Sequence, residues 1–179
     1  MELDSSLPIR MAPKLTRKHI DLPPFSAMRV KLATQVLSHS VAAGITYLCS
    51  LGKMDEDAIH TANFIEKMDC LFNVFKSSGL SNANKFRTAI QSSNNHFRFL
   101  GECSQCFFNL KPAGKDKSLP CLHGWQLNIA SISRLWAVLR SEYSLKFFIT
   151  NRLNQDCREN FFSVLGQGWP PRQPRCCSV

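Results

Sequence analysis

The chain has 179 residues, 44% of them hydrophobic, and carries a formal net charge of +9 from 22 Lys and Arg against 13 Asp and Glu. That apolar content excludes wholesale disorder and suffices for one domain of ordinary size or parts of two. The charge excess favours polyanionic partners, nucleic acid first and anionic membrane second, with a merely basic soluble protein as the plain alternative.

The opening "MELDSSLPIR" has neither the positive start nor the apolar core of a secretory signal. The longest apolar runs, "VAAGITYL" and "FFI", fall far short of a membrane span. The expectation is an intracellular protein without membrane contact, whose eight cysteines are thiols. Residues 1–24 read as a basic, flexible lead-in, because Pro8, Pro13, Pro23 and Pro24 prevent a long helix. Lys14, Arg17 and Lys18 there, with Arg29 and Lys31 beyond, are the candidate phosphate-contacting residues for weak DNA binding.

Ser26 can cap a helix in which Val30, Ala33, Leu37, Val41, Gly44 and Leu48 form an apolar stripe, with Gly52 as its stop. A second helix follows the acids Asp55, Glu56 and Asp57, buries Ala58, Ala62, Ile65, Met68, Phe72 and Phe75, and is expected to end at Gly79. "SSGLSNANKF" and "KPAGKDKSLP" are loops by composition, on either side of a shorter helix over 94–108. From His123 to about Tyr143, Leu127, Ile129, Ile132, Leu135, Trp136 and Leu139 recur at helical spacing. "LKFFIT" is too short to separate strand from helix end. In "LNQDCRENFF" (153–162) Asn154 can cap a last helix that places Asp156 and Glu159 on one face. The tail 166–179, with three prolines and no apolar period, is expected to be disordered.

Cys103 and Cys106 form a CxxC, and Cys121 with His123 follows, so thiolates and an imidazole could make a tetrahedral zinc site. The second half is tighter than usual finger spacing, and Phe107 and Phe108 favour buried thiols on a packed helix instead. No GxxxxGK[ST] loop is present. Trp125 and Trp136 fit a helical core stripe or its margin, and with Trp169 they offer base stacking as the alternative.

Taken in order, "KLTRKHIDLPPFSAMRVKLATQVLSHSVAAGI", "FIEKMDCLFNVFKSSG" and "FFITNRLNQDCRENFFSVL" resemble the P-element transposase family, including relatives carrying a THAP zinc-finger domain. The resemblance covers most of residues 14–165, with gaps over 80–120. It implies a mainly α fragment of an RNase H-like transposase, its sheet largely missing. Residues 25–54 would end a GTP-binding insertion, and 55–165 would be the C-terminal helical part of the catalytic domain. It also implies a nuclear DNA transposase that cleaves and joins strands with Mg²⁺, in which Glu159 would supply a catalytic, metal-binding carboxylate.

Departures from the pattern limit what carries over. The chain starts after the two partner aspartates and most of the GTP site, so neither Mg²⁺ nor GTP is expected to be held by this fragment alone. Arg158 stands where the motif is usually apolar, and Asn73 where "LFDxxNS" has an acid. After "FFSVL" the family's Gly-rich stretch is replaced by proline-rich text, which reads as a frameshift, truncation or splice variant. The resulting expectation is a polypeptide inactive alone. Its partners would be DNA, intact transposase or a second copy. A basic regulator and a non-functional relic are the alternatives, and the plain alternative for Glu159, even within the family, is a solvated helix residue with no role left in this fragment.

Overall fold

The computed structural model describes residues 11–22, 30–93, 95–111, 113–114 and 119–153. Over these residues the chain is mainly α-helical, as its apolar spacing predicts. The helices are α1 (Val30–Val36), α2 (His39–Ser50), α3 (Ala58–Phe75), α4 (His96–Asn109) and α5 (Pro120–Tyr143). Strands β1 (Ile90–Gln91) and β2 (Phe147–Phe148) pair antiparallel, Ile90 opposite Phe148 and Gln91 opposite Phe147. Short 3-10 turns lie at Arg17–His19, Lys85–Arg87 and Thr150–Leu153.

The helix expected before Gly52 is interrupted. Ser38 is extended, φ −117° and ψ 152°, and its carbonyl starts α2 by accepting from Val41 and Ala42 N–H at 3.0 and 3.1 Å. Its hydroxyl donates back to the Gln35 carbonyl at 2.9 Å. Serine offers the backbone an alternative partner at a helix boundary, which a stripe of apolar spacings does not register. The stripe divides accordingly: Val41, Gly44 and Leu48 are buried, whereas Val30 is 67% exposed. Gly52 does terminate α2. It sits at φ 64°, and bonds from Gly52 N–H to Cys49 O (2.9 Å) and Lys53 N–H to Leu48 O (3.0 Å) form a Schellman closure.

Residues 11–22 differ from the flexible lead-in expected of them. Ala12 and Leu15 pack on Val41, Ala42 and Ile65, with Leu37 and Ile45 alongside. Gly44 admits Met11 so closely that a Cβ there would lie 3.1 Å from Met11 Cβ. Proline bars a helix in this segment but does not prevent its apolar side chains from being buried.

α3 begins as the acidic cluster predicts, with Asp57 at the cap and Asp55 Oδ1 accepting from Asp57 N–H at 3.0 Å. Its inward residues are Ala62, Ile65, Met68, Leu71 and Val74, while Phe72 and Phe75 flank the core. The helix stops at Phe75, ahead of Gly79, where Ser77 N–H is shared between Val74 O at 3.4 Å and Thr150 Oγ1 at 3.1 Å. Leu100, Cys103 and Phe107 of α4 and Leu122, Ile129, Ile132 and Trp136 of α5 close the main core over α3 and Ile90. Removing this apolar surface from water is the main force holding the helices together. Leu127, expected inward, is 56% exposed. α5 also begins three residues earlier than expected, on Pro120, whose missing N–H costs nothing in a first helical turn.

Candidate functional site

Lys14, Arg17 and Lys18 are exposed on and beside the Arg17–His19 turn, and Lys31 is exposed on α1. His19 fastens the turn to that helix. Thr16 N–H donates to its Nδ1 at 3.1 Å, and its Nε2 lies 3.0 Å from Gln35 Oε1. Among the described residues the ion pairs are His39 Nδ1–Glu66 Oε2 at 2.7 Å and Arg98 Nε–Glu102 Oε1 at 3.8 Å, so these four cations have no carboxylate partner there. Arg29, the fifth cation named from the sequence, lies outside the described residues.

A groove of about 820 Å³ lies between α1, α3, α5 and the Thr150–Leu153 turn. Val30, Phe72 and Phe75 give it apolar walls, and Lys31 and Lys76 add two ammonium groups. Phe72 and Phe75 meet the Trp125 ring edge-on, each at 5.3 Å between centroids. Trp125 is thus engaged in packing and Trp136 is 6% exposed, which is the core reading of both. Trp169 is outside the described residues. Asn73 does not line the groove; its Nδ2 donates to the carbonyl and Oδ2 of Asp69, both at 2.9 Å.

One wall of the groove is fixed by two buried hydroxyls. Ser77 Oγ and Thr150 Oγ1 are 2.9 Å apart, Thr150 N–H donates to Ser77 Oγ at 3.0 Å, and Thr150 Oγ1 donates to Val74 O at 2.6 Å. Asn151 N–H adds a bond to Ser77 O at 3.1 Å. This pair leaves no signal in the sequence, since a lone Ser and a lone Thr outside helices read as surface polar residues. The turn ends at Leu153; Asp156 and Glu159 lie outside the described residues.

The cysteine constellation does not assemble. Cys103 is fully buried on the core face of α4, and Cys121 and His123 are exposed on α5. Burial pushes the Cys103 thiol up to about 12 and the Cys70 thiol up to about 11, with Glu66 and Asp69 adding to the rise at Cys70. Among the described residues no three His, Cys, Asp or Glu side chains converge where a metal ion could be held. Those residues therefore fit neither a zinc site nor a two-metal carboxylate site. No described helix is long and apolar enough to cross a membrane.

The family described as "TNP-like, GTP-binding insertion domain" matches residues 1–89, a span that extends past residue 54 and takes in α3. The Transposable element P transposase of Drosophila melanogaster is 32% identical over 158 residues, covering 85% of this chain and 20% of that protein. The solved Drosophila P element transposase strand transfer complex superposes with a TM-score of 0.80 at 30% identity, over 92% of this chain and 37% of that one. The chain spans about a fifth of the length of the curated relative it matches. It belongs to the P-element transposase family, and its helices have the fold of the matching part of a P element transposase.

Proposed function

We propose that this polypeptide acts by binding DNA and transposase-type partners in the nucleus, and that it does not cut or join strands by itself. In the ancestral enzyme, Mg²⁺-dependent strand cleavage and transfer would belong to a larger RNase H-like assembly, to which the chain's Glu159 would contribute one carboxylate. The observation that carries the reading is the set of exposed cations unpaired among the described residues: Lys14, Arg17 and Lys18 on and beside a turn fastened to α1, and Lys31 on α1 itself. Such side chains can release counterions from DNA phosphates without further rearrangement. Chemistry needs several carboxylates held around metal ions, and the described residues bring no such group together.

The test uses the purified chain. It should bind random-sequence duplex at low salt and lose that binding as salt rises. It should leave plasmid intact with Mg²⁺ or Mn²⁺. Absence of any low-salt binding would sink the DNA reading. Cleavage by the wild type that disappears in Glu159→Gln would sink the inactivity reading while supporting the residue's role.

One observation favours a second activity. The insertion-domain match includes α1 and α3, so Lys31 of α1 and Lys76, just past the end of α3, could neutralise nucleotide phosphates while Phe72 or Phe75 meets a base. The groove is then a remnant nucleotide site, with Asn73 tied back to Asp69 and taking no part. GTP titrated into the chain should bind weakly, and several-fold more weakly in Lys76→Ala. Equal affinity in both proteins would remove the groove from consideration.

A further inference from the structure

We propose that a hollow at the start of α4 is a binding site for one nucleotide unit of single-stranded nucleic acid, its phosphate taken by Lys85 and Arg98 and its base laid against Phe86 and Phe99. The hollow measures about 380 Å³ and lies where the Lys85–Arg87 turn meets the first turn of α4. It is separate from the groove and from the cations around Arg17, and neither of those readings is needed for it.

Two cations stand at its edge with little to occupy them. Lys85 Nζ lies 5.4 Å from the Phe86 ring centroid. Arg98 Nε is 3.8 Å from Glu102 Oε1, with the two side chains 75% and 60% exposed. An exposed pair at that distance contributes little, so a phosphate can replace it. α4 itself adds its first-turn amides. Its cap residue Asn95 makes no side-chain capping bond, and the first-turn N–H groups of a 14-residue helix attract an anion.

His96 closes the inner wall of the hollow. It lines the hollow and is only 4% exposed, yet neither Nδ1 nor Nε2 has a hydrogen-bond partner of ordinary geometry among the described residues. Burial holds its pKa below the usual histidine value, with the backbone of Phe86 and Lys85 only partly offsetting this. Both ring nitrogens are sealed from solvent beside the Phe86 and Lys85 backbone, so His96 serves as part of the wall and leaves ligand contacts to Lys85, Arg98, Phe86 and Phe99.

The floor selects a nucleotide over a bare anion. Phe86 and Phe99 are half-buried with centroids 4.6 Å apart, tilted 45° to each other, an aromatic surface on which a base can lie. Glu102 at the rim repels highly charged ligands, which favours the single charge of a strand phosphodiester over a polyphosphate. A base within a duplex stays stacked on its neighbours and cannot reach the rings, so the strand must be single.

The experiment measures fluorescence anisotropy of the 179-residue chain with an oligothymidylate of about twelve nucleotides, an abasic strand of equal length and a duplex. The wild type should prefer oligothymidylate over the abasic strand by about fivefold or more, as one base–aromatic contact provides. Phe86→Leu should abolish that preference. Arg98→Gln and Lys85→Gln, both at exposed positions, should each weaken oligothymidylate several-fold with circular dichroism and melting unchanged. Lys18→Gln should weaken all three nucleic acids alike. Thymidine monophosphate should displace the strand at concentrations where inorganic phosphate does not. Equal binding of thymidylate and abasic strands, displacement by phosphate as readily as by the nucleotide, or no effect of Arg98→Gln and Lys85→Gln in folded protein would each overturn the proposal.

Discussion

Cys103 lies on the same face of α4 as Leu100 and Phe107, so the helical spacing that buries those two also desolvates its thiol and holds it protonated up to about 12. Cys70, at about 11, is raised by burial first and by Glu66 and Asp69 second. The thiolate is the reacting species, so among the described cysteines alkylation near pH 8 should label exposed Cys121 first, with Cys103 and Cys70 slower by at least about tenfold. Mass spectrometry of the modified peptides checks the order. Stability follows with a definite sign. The unfolded thiols lose protons near 9.0 and the folded ones only at about 11 and 12, so their contribution is complete below pH 9 and falls as pH rises through that window. His96 acts oppositely: its lowered pKa makes unfolding easier as pH drops below the ordinary value of 6.5. The hydroxyl pair is a third case. Thr150→Val leaves Ser77 N–H and Oγ buried without that partner and should lower stability by about 1–3 kcal/mol, whereas Thr150→Ser should cost less; thermal melts compare them.

At the scale of elements, Gly52→Ala should shorten or loosen the end of α2 at a cost of about 1 kcal/mol, because φ 64° places a Cβ against the following carbonyl. Nothing lies within 4 Å of that missing Cβ, so the loss would come from the backbone and a melting shift would read it directly. Gly52 was legible because a left-handed stop leaves a residue-type signature. The acidic start of α3 and the inward face of α5 at Ile129, Ile132 and Trp136 were legible for similar reasons of local spacing. The break at Ser38 was not, since one serine can either continue a helix or bond outside it. β1 went unseen because two residues carry no period, and its partner lies beyond two whole helices. The hollow at His96 was equally invisible. Lys85, Phe86, Arg98 and Phe99 converge there through a turn and a helix start that are not periodic together.

For the whole molecule, the net charge of +9 matters less than where its cations stand. If about four of them neutralise phosphates, duplex affinity should fall roughly 150-fold between about 50 and 200 mM salt. Replacing Arg17 and Lys18 together by Gln should lower that slope by about two and leave helix content untouched, because both side chains are exposed. A slope unchanged in the double variant would move the interface elsewhere on the surface.

The Ser77–Thr150 junction also has a consequence in time. It joins residues 73 positions apart, whereas α2 and α3 are neighbours in the chain joined by a short turn. Closing a long loop costs more chain entropy than closing a short one, so the α2–α3 hairpin can form early and the junction must form late. Contacts made late are commonly the first to be lost on unfolding. The side of the groove nearest Leu153 would then open before the rest of the fold yields, and the order of amide exchange would record it, with Thr150 and Asn151 exchanging ahead of Leu71 and Val74.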